Sequence, residues 1–163
     1  MSFIQSTPKL SVQTSKNTVL AIACLRQGRN AEAFSLLSAP GLEQEPAAQF
    51  SLGLCYLRAG EHSKAISCFE QTVQLLKPSL VPSGSSAGNE IYLKLAVEQL
   101  EAKVYLEPMD MEFCTCLPKL AEQTTLLALI HTYMENSMEE QAKRLASGLV
   151  GTEFAEYKRK LME

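Results

Sequence analysis

The sequence lacks the features that mark membrane and secreted proteins. Among its 163 residues there is no Trp, and aromatic residues make up only 7%. No apolar run approaches the roughly 18 residues that a membrane-spanning helix requires. The N-terminal stretch also has no continuous apolar segment like that of a secretory signal peptide. These absences predict a protein of the cytoplasm or the nucleus, with no membrane span.

An excess of positive charge is also missing. The chain has 15 Lys and Arg against 18 Asp and Glu, which gives a formal net charge of -3. Nucleic-acid-binding domains are usually strongly basic, so we do not expect a nucleic acid as a partner. The 5 cysteines are odd in number, and Cys24, Cys55 and Cys68 fall in apolar helical stretches. This pattern favours free, buried thiols over a disulfide framework.

Residues that would support catalysis or hold a metal do not form a diagnostic pattern. His62 and His131 are far apart in the sequence, and His131 is interpreted as a core or surface histidine. Cys114 and Cys116 are separated by one residue, whereas zinc knuckles use two, and no second ligand pair follows. The Gly/Ser-rich stretch 83–88 lacks the Lys of a phosphate-binding loop. We therefore expect no enzyme, no metal and no cofactor.

The residues that are present favour helices. Leu and Ala dominate the apolar set, and both are strong helix formers. We predict a flexible leader at 1–13 and a single all-α domain at 14–163 with about eight helices. Residues 78–89 are rich in Pro, Ser and Gly and predict a loop. A helix is predicted at 90–106, and Asp110 is predicted to cap a short turn that ends at Cys116.

An internal repeat relates the first two predicted helical hairpins. Their small, apolar and turn residues recur at a constant offset of 32 positions, which is typical of repeat architectures. The small residues allow two helices to approach closely, and the glycines permit a tight turn between them. The equivalent pairs are Leu20 and Leu52, Ala21 and Gly53, Cys24 and Tyr56, Gly28 and Gly60, Ala33 and Ala65, and Leu37 and Phe69.

The second hairpin, at 46–78, resembles the tetratricopeptide repeat. The residues that carry the resemblance are Leu52-Gly53, Tyr56, Ala65, Phe69 and Pro78, at or close to that family's spacing. Gln49 stands where the family has its leading Trp, and Pro78 comes one residue late. The resemblance implies an array of antiparallel helical hairpins that forms a right-handed superhelix.

Other parts of the chain match this repeat less closely. We interpret 14–45 as a looser copy, 89–117 as a degenerate copy and 152–162 as a capping helix. A weaker copy at 119–149 carries Tyr133 and Ala142 at the expected spacing, with Ser137 in place of the turn glycine.

The resemblance implies that the first helix of each hairpin lines a concave, partner-binding groove. Its mostly apolar row predicts a peptide or an amphipathic helix of another protein as the ligand. The polar side chains with which some family members grip the tails of heat-shock chaperones are absent, so those tails are not expected as partners. The predicted partner-binding residues are Ile22, Leu25, Arg26, Phe50, Leu54, Leu57 and Arg58. The two arginines either contact an acidic peptide or complement the helix dipole.

The expected function is therefore that of a scaffold, an adaptor or a subunit of a multiprotein complex. The alternative is a small chaperone that shields an apolar segment of a client protein. Two occupants of the apolar groove stay open on sequence grounds. One is a segment of the chain itself, such as helix 89–106 or the leader 1–13, and the other is a partner.

Overall fold

Helices form all the regular secondary structure that the structure describes. The computed structural model describes residues 15–76 and 90–163, so the predicted leader at 1–13 and the whole of the predicted loop at 78–89 lie outside the described residues. The all-α prediction is confirmed for the described ranges. The superhelical arrangement stays a prediction. The α-helices are α1 (Lys16–Arg26), α2 (Asn30–Leu37), α3 (Pro46–Arg58), α4 (His62–Leu76), α5 (Glu90–Glu101), α6 (Met111–Cys116), α7 (Pro118–Glu135), α8 (Glu139–Ser147) and α9 (Ala155–Met162), with short 3-10 turns at Val104–Leu106 and Thr152–Phe154.

Three helical hairpins share one turn geometry. Gly28, Gly60 and Ser137 each follow the first helix of a hairpin and adopt left-handed φ angles of 74°, 76° and 57°. Glycine adopts this region without steric cost, whereas serine does so at a cost. The α7–α8 hairpin therefore turns like the two glycine hairpins, although it lacks the glycine.

The hydrogen bonds around these turns are also equivalent. In each hairpin the residue after the left-handed position donates its N–H to a carbonyl five residues earlier. The three N···O distances are 2.9 Å for Arg29 to Cys24, 2.9 Å for Glu61 to Tyr56 and 2.8 Å for Met138 to Tyr133. These bonds satisfy carbonyls at the end of the first helix. The Ala33, Ala65 and Ala142 positions in the second helices are all fully buried.

The α3–α4 hairpin is packed tightly at Gly53. A Cβ atom added at Gly53 would lie 2.6 Å from Cε1 of Phe69, far closer than carbon atoms pack. Phe69 in turn packs against Phe50, with ring centroids 5.3 Å apart. The absence of a side chain at Gly53 therefore lets the Phe69 ring fill the space between the two helices.

The helices do not pack against one another in the order in which they follow along the chain. Helix α2 packs against α3, and α4 packs directly against α7, so the three hairpins stack as α1–α2, α3–α4 and α7–α8. Helix α5 lies against the two 3-10 turns, and α6 packs against α3 and α7. Residues 90–116 thus lie beside the stack of three hairpins, and the interpretation of 89–117 as a degenerate copy of the repeat stays a prediction. None of the described helices is long and apolar enough to cross a membrane.

Candidate partner-binding site

The predicted partner-binding row is largely covered by the chain itself. Ile22, Leu25, Phe50 and Leu54 are at most 4% exposed, and Leu57 is half-buried. Leu25 packs in a separate cluster with residues of the first hairpin such as Ala33 and Leu37. Leu25 is therefore buried inside the first hairpin and not in the groove.

The cover over the groove is formed by residues 104–116, which we call the covering segment. Its buried side chains share one hydrophobic cluster with Ile22, Phe50 and Leu54 of the predicted row. The covering segment begins with the 3-10 turn at Val104–Leu106 and ends with α6. Its side chains in this cluster are Tyr105, Met109, Met111 and Cys114.

Arg58 connects the stack to the covering segment. Its Nη1 atom donates to the carbonyl of Leu25 at 3.3 Å and to Oδ1 of Asn30 at 2.8 Å, and Nη2 donates to the carbonyl of Leu106 at 3.5 Å. These acceptors lie in the first hairpin and in the covering segment. The guanidinium of Arg58 is therefore engaged within the protein.

Arg26 meets the same segment through a weaker contact. Its Nη2 atom lies 3.9 Å from Oδ2 of Asp110, and the two side chains are 55% and 52% exposed. Ion pairs this exposed contribute about 0–1 kcal/mol. Asp110 also accepts the N–H of Phe113 at 2.8 Å and so caps α6, which confirms the predicted cap.

Uncovering the groove would be costly. Tyr105, Met109 and Met111 are each more than nine-tenths buried, and burial of such a side chain contributes about 1.5–3 kcal/mol. Displacement of these three side chains would therefore cost about 5–9 kcal/mol on the same scale. A partner that replaced these three side chains would have to recover this free energy before it gained any affinity.

An apolar cleft stays open on the other side of the covering segment. The cleft has a volume of about 470 Å³ and lies between α5 and α7, with the 3-10 turn at Thr152–Phe154 at one border. Three of its large apolar side chains are well exposed, Leu95 at 54%, Val104 at 44% and Leu120 at 40%. Tyr105 and Leu127 form part of its buried floor. A gathered set of exposed apolar side chains marks an interaction site more often than scattered ones do.

The charged lining of this cleft is predominantly acidic. It contains Glu107, Asp110 and Glu153 against the single cation Arg26, which lies next to Asp110. Among the described residues, Glu107 and Glu153 have no cationic side chain within ion-pair distance. The cleft therefore combines an apolar floor with an excess of carboxylates over cationic side chains.

A second cavity, of about 440 Å³, lies where the start of the covering segment meets α3 and α7. Three of the predicted partner-binding residues, Leu54, Leu57 and Arg58, line this cavity. The other lining residues are His62, Ala102, Lys103, Leu106, Glu107, His131 and Glu135. Burial lowers the pKa of His131, and the nearby Lys103 lowers it further, whereas Glu135 opposes them. The His131 ring also packs edge-on against Tyr105, with centroids 6.1 Å apart. This histidine is therefore held as a neutral packing residue beside the covering segment.

The cysteines are free, as the sequence predicts, and four of the five are buried. Burial raises the pKa of Cys55 and Cys68 to about 11 and that of Cys114 to about 12. Thiols with such pKa values are rarely deprotonated near neutral pH and make poor nucleophiles. Among the described residues, no group of three or more His, Cys, Asp or Glu side chains is placed to hold a metal ion.

Comparisons with known proteins identify no relative. No protein-family profile matches the chain, and no curated protein and no solved structure matches it either. The likeness to tetratricopeptide repeats rests on the residues and turn geometry above, and membership of that family stays a prediction.

Sequence reasoning missed the α5–α7 cleft. Leu95, Val104 and Leu120 come from three elements that have no common spacing in the chain. They meet because residues 90–116 fold back across the stack, which is a long-range packing event. The only local signal in the sequence was the number of apolar residues in α5.

Proposed function

We propose that the protein is an interaction module, an adaptor or a subunit of a multiprotein complex, that binds another protein through the α5–α7 cleft. The observation that carries this proposal is the set of exposed apolar side chains, Leu95, Val104 and Leu120, around one concave surface. Exposed aliphatic side chains around a concavity gain free energy when a partner removes them from water.

The groove residues have an indirect part in this function. Ile22, Phe50 and Leu54 share one hydrophobic cluster with the buried side chains of the covering segment. The opposite side of that segment supplies Val104 and Phe113 to the cleft. Of the predicted partner-binding residues, Arg26 lines the cleft itself, whereas Ile22, Phe50 and Leu54 do not.

The proposal is tested by affinity capture with a charged double variant. Leu95→Glu/Leu120→Glu places two carboxylates in the apolar lining, and exposed positions tolerate such changes with little loss of stability. The matched control is Val19→Glu/Leu20→Glu, which changes two comparably exposed residues of α1. Circular dichroism of both variants verifies that the helices are retained.

We expect specific proteins to be recovered with the wild type and with the α1 control, and to be lost with the cleft variant. Equal recovery by all three proteins would contradict the proposal. The same variants separate an adaptor from a small chaperone. A chaperone would suppress aggregation of several unrelated unfolded proteins, whereas an adaptor would retain a small, defined set of partners.

A further inference from the structure

We infer that the partner segment is an amphipathic α-helix whose apolar face is flanked by Lys or Arg residues. This inference rests on the proposed function, because it names the kind of partner that the α5–α7 cleft accepts. It combines two properties of the lining, the small number of its uncharged polar side chains and the sign of its charge.

The small number of uncharged polar side chains in the cleft favours a helical partner segment over an extended one. The uncharged polar side chains that line the described cleft are Gln99, Tyr105, Gln123 and Thr124. Gln123 already donates to the carbonyl of Val150 at 3.3 Å. An extended segment presents unpaired N–H and C=O groups along its length, and each needs a partner when water is removed. A helix satisfies these groups internally and presents only side chains to the apolar floor.

The shape of the site agrees with this choice. Helices α5 and α7 form opposite walls, and no strand with a free edge occurs in the described residues. A partner strand therefore has no edge to pair with here. A partner helix can place apolar side chains between Leu95 on one wall and Leu120 on the other, with the spacing i, i+3, i+4 and i+7.

The charge of the lining selects basic flanking residues. Glu107 and Glu153 border the apolar floor, and Arg26 is offset by Asp110. Lys94 and Lys119 are neighbours of lining residues in the chain, but both already take part in interactions within the protein. A helix with Lys or Arg beside its apolar face would meet two carboxylates, whereas one with Glu would meet like charge.

Two synthetic peptides test the inference. Both are helical and carry Leu at i, i+3, i+4 and i+7; one has Lys at the flanking positions and the other has Glu. Fluorescence anisotropy measures the affinity of each peptide for the full chain. We expect the Lys peptide to bind about tenfold more tightly than the Glu peptide, and this difference should shrink in high salt.

Charge-neutral variants assign the effect to the lining. Glu107→Gln/Glu153→Gln should remove most of the preference for the Lys peptide. The control Glu98→Gln/Glu101→Gln changes two carboxylates on α5 outside the lining and should retain it. A preference that is equally reduced in both variants would overturn the inference, because it would reflect net charge alone.

The outcomes separate this inference from the proposed function. If both peptides bind equally and Leu95→Glu/Leu120→Glu abolishes the binding, the cleft is a docking site and the charge inference is wrong. If an extended, proline-containing peptide with the same Leu and Lys content binds as tightly as the helical one, the helix inference is wrong. If no peptide binds and captured proteins are insensitive to the cleft variant, both fail.

Discussion

The covering segment is predicted to be part of the core, and truncation of Met109 tests this. Met109 is 5% exposed and lies in the cluster with Ile22, Phe50 and Leu54. Large-to-small substitutions at such sites cost about 2–5 kcal/mol, which combines lost burial with the cavity that is left. Domains are stable by only about 5–15 kcal/mol, so Met109→Ala should lose a large share of the total.

The assay is urea unfolding followed by circular dichroism at a fixed temperature. We expect Met109→Ala to lower the midpoint with an unchanged slope, since the change affects stability and not the surface exposed on unfolding. The matched control is Val104→Ala in the same segment, where the side chain is well exposed and a loss below about 1 kcal/mol is expected. Small and equal losses in the free energy of unfolding at Met109 and Val104 would refute the reasoning. They would mean that the covering segment is only loosely attached to the core.

Three further predictions concern the stack and its cavity. Ser137→Gly should raise the free energy of unfolding by about 0.5–1 kcal/mol, because glycine relieves the strain of the left-handed backbone conformation. Gly60→Ser should lower the free energy of unfolding by a similar amount. Urea midpoints measure both changes. Gly53→Ala should destabilise by about 1–3 kcal/mol in the same assay, because the added methyl group would displace the Phe69 ring. Folding lowers the pKa of His131 below its ordinary value of 6.5, so the folded state favours the neutral ring. The free energy of unfolding should therefore fall as the pH drops from 6.5 towards the pKa of the folded state. His131→Gln should remove that part of the pH dependence, measured as the difference between the two unfolding profiles.

Each of these predictions has a contrary result. A loss of stability in Ser137→Gly would mean that the serine side chain, and not the backbone conformation, governs that turn. A neutral Gly53→Ala would contradict the tight packing against Phe69. Parallel pH profiles for the wild type and His131→Gln would contradict the assigned cause of that pH dependence.

The hairpins were predictable because their signals are local. Gly60 fixes the turn between α3 and α4, and Pro46 suits the first turn of α3. The predicted hairpin at 46–78 therefore agrees closely with Pro46–Arg58 and His62–Leu76. The third turn was predictable from spacing alone. Ser137 stands where the repeat requires a left-handed residue, and its φ of 57° confirms that position.

The path of residues 90–116 was not predictable from local signals. The helix predicted at 90–106 ends at Glu101, although no Gly or Pro lies between residues 101 and 107. Lys103 adopts a left-handed φ of 54° instead, and the next turn buries Tyr105. A tertiary contact thus overrides the helix propensity of this stretch. The same long-range packing covers the groove and creates the cleft.

The central claim is that a partner docks in the α5–α7 cleft while the groove stays covered. Methyl NMR of Leu, Val and Ile side chains during titration with the Lys-flanked helical peptide tests it most directly. The claim predicts saturable shifts at Leu95, Val104 and Leu120, with Ile22 and Leu54 unchanged. Shifts confined to Ile22 and Leu54, with the methyl groups of the cleft unaffected, would contradict it and would show that the partner replaces the covering segment.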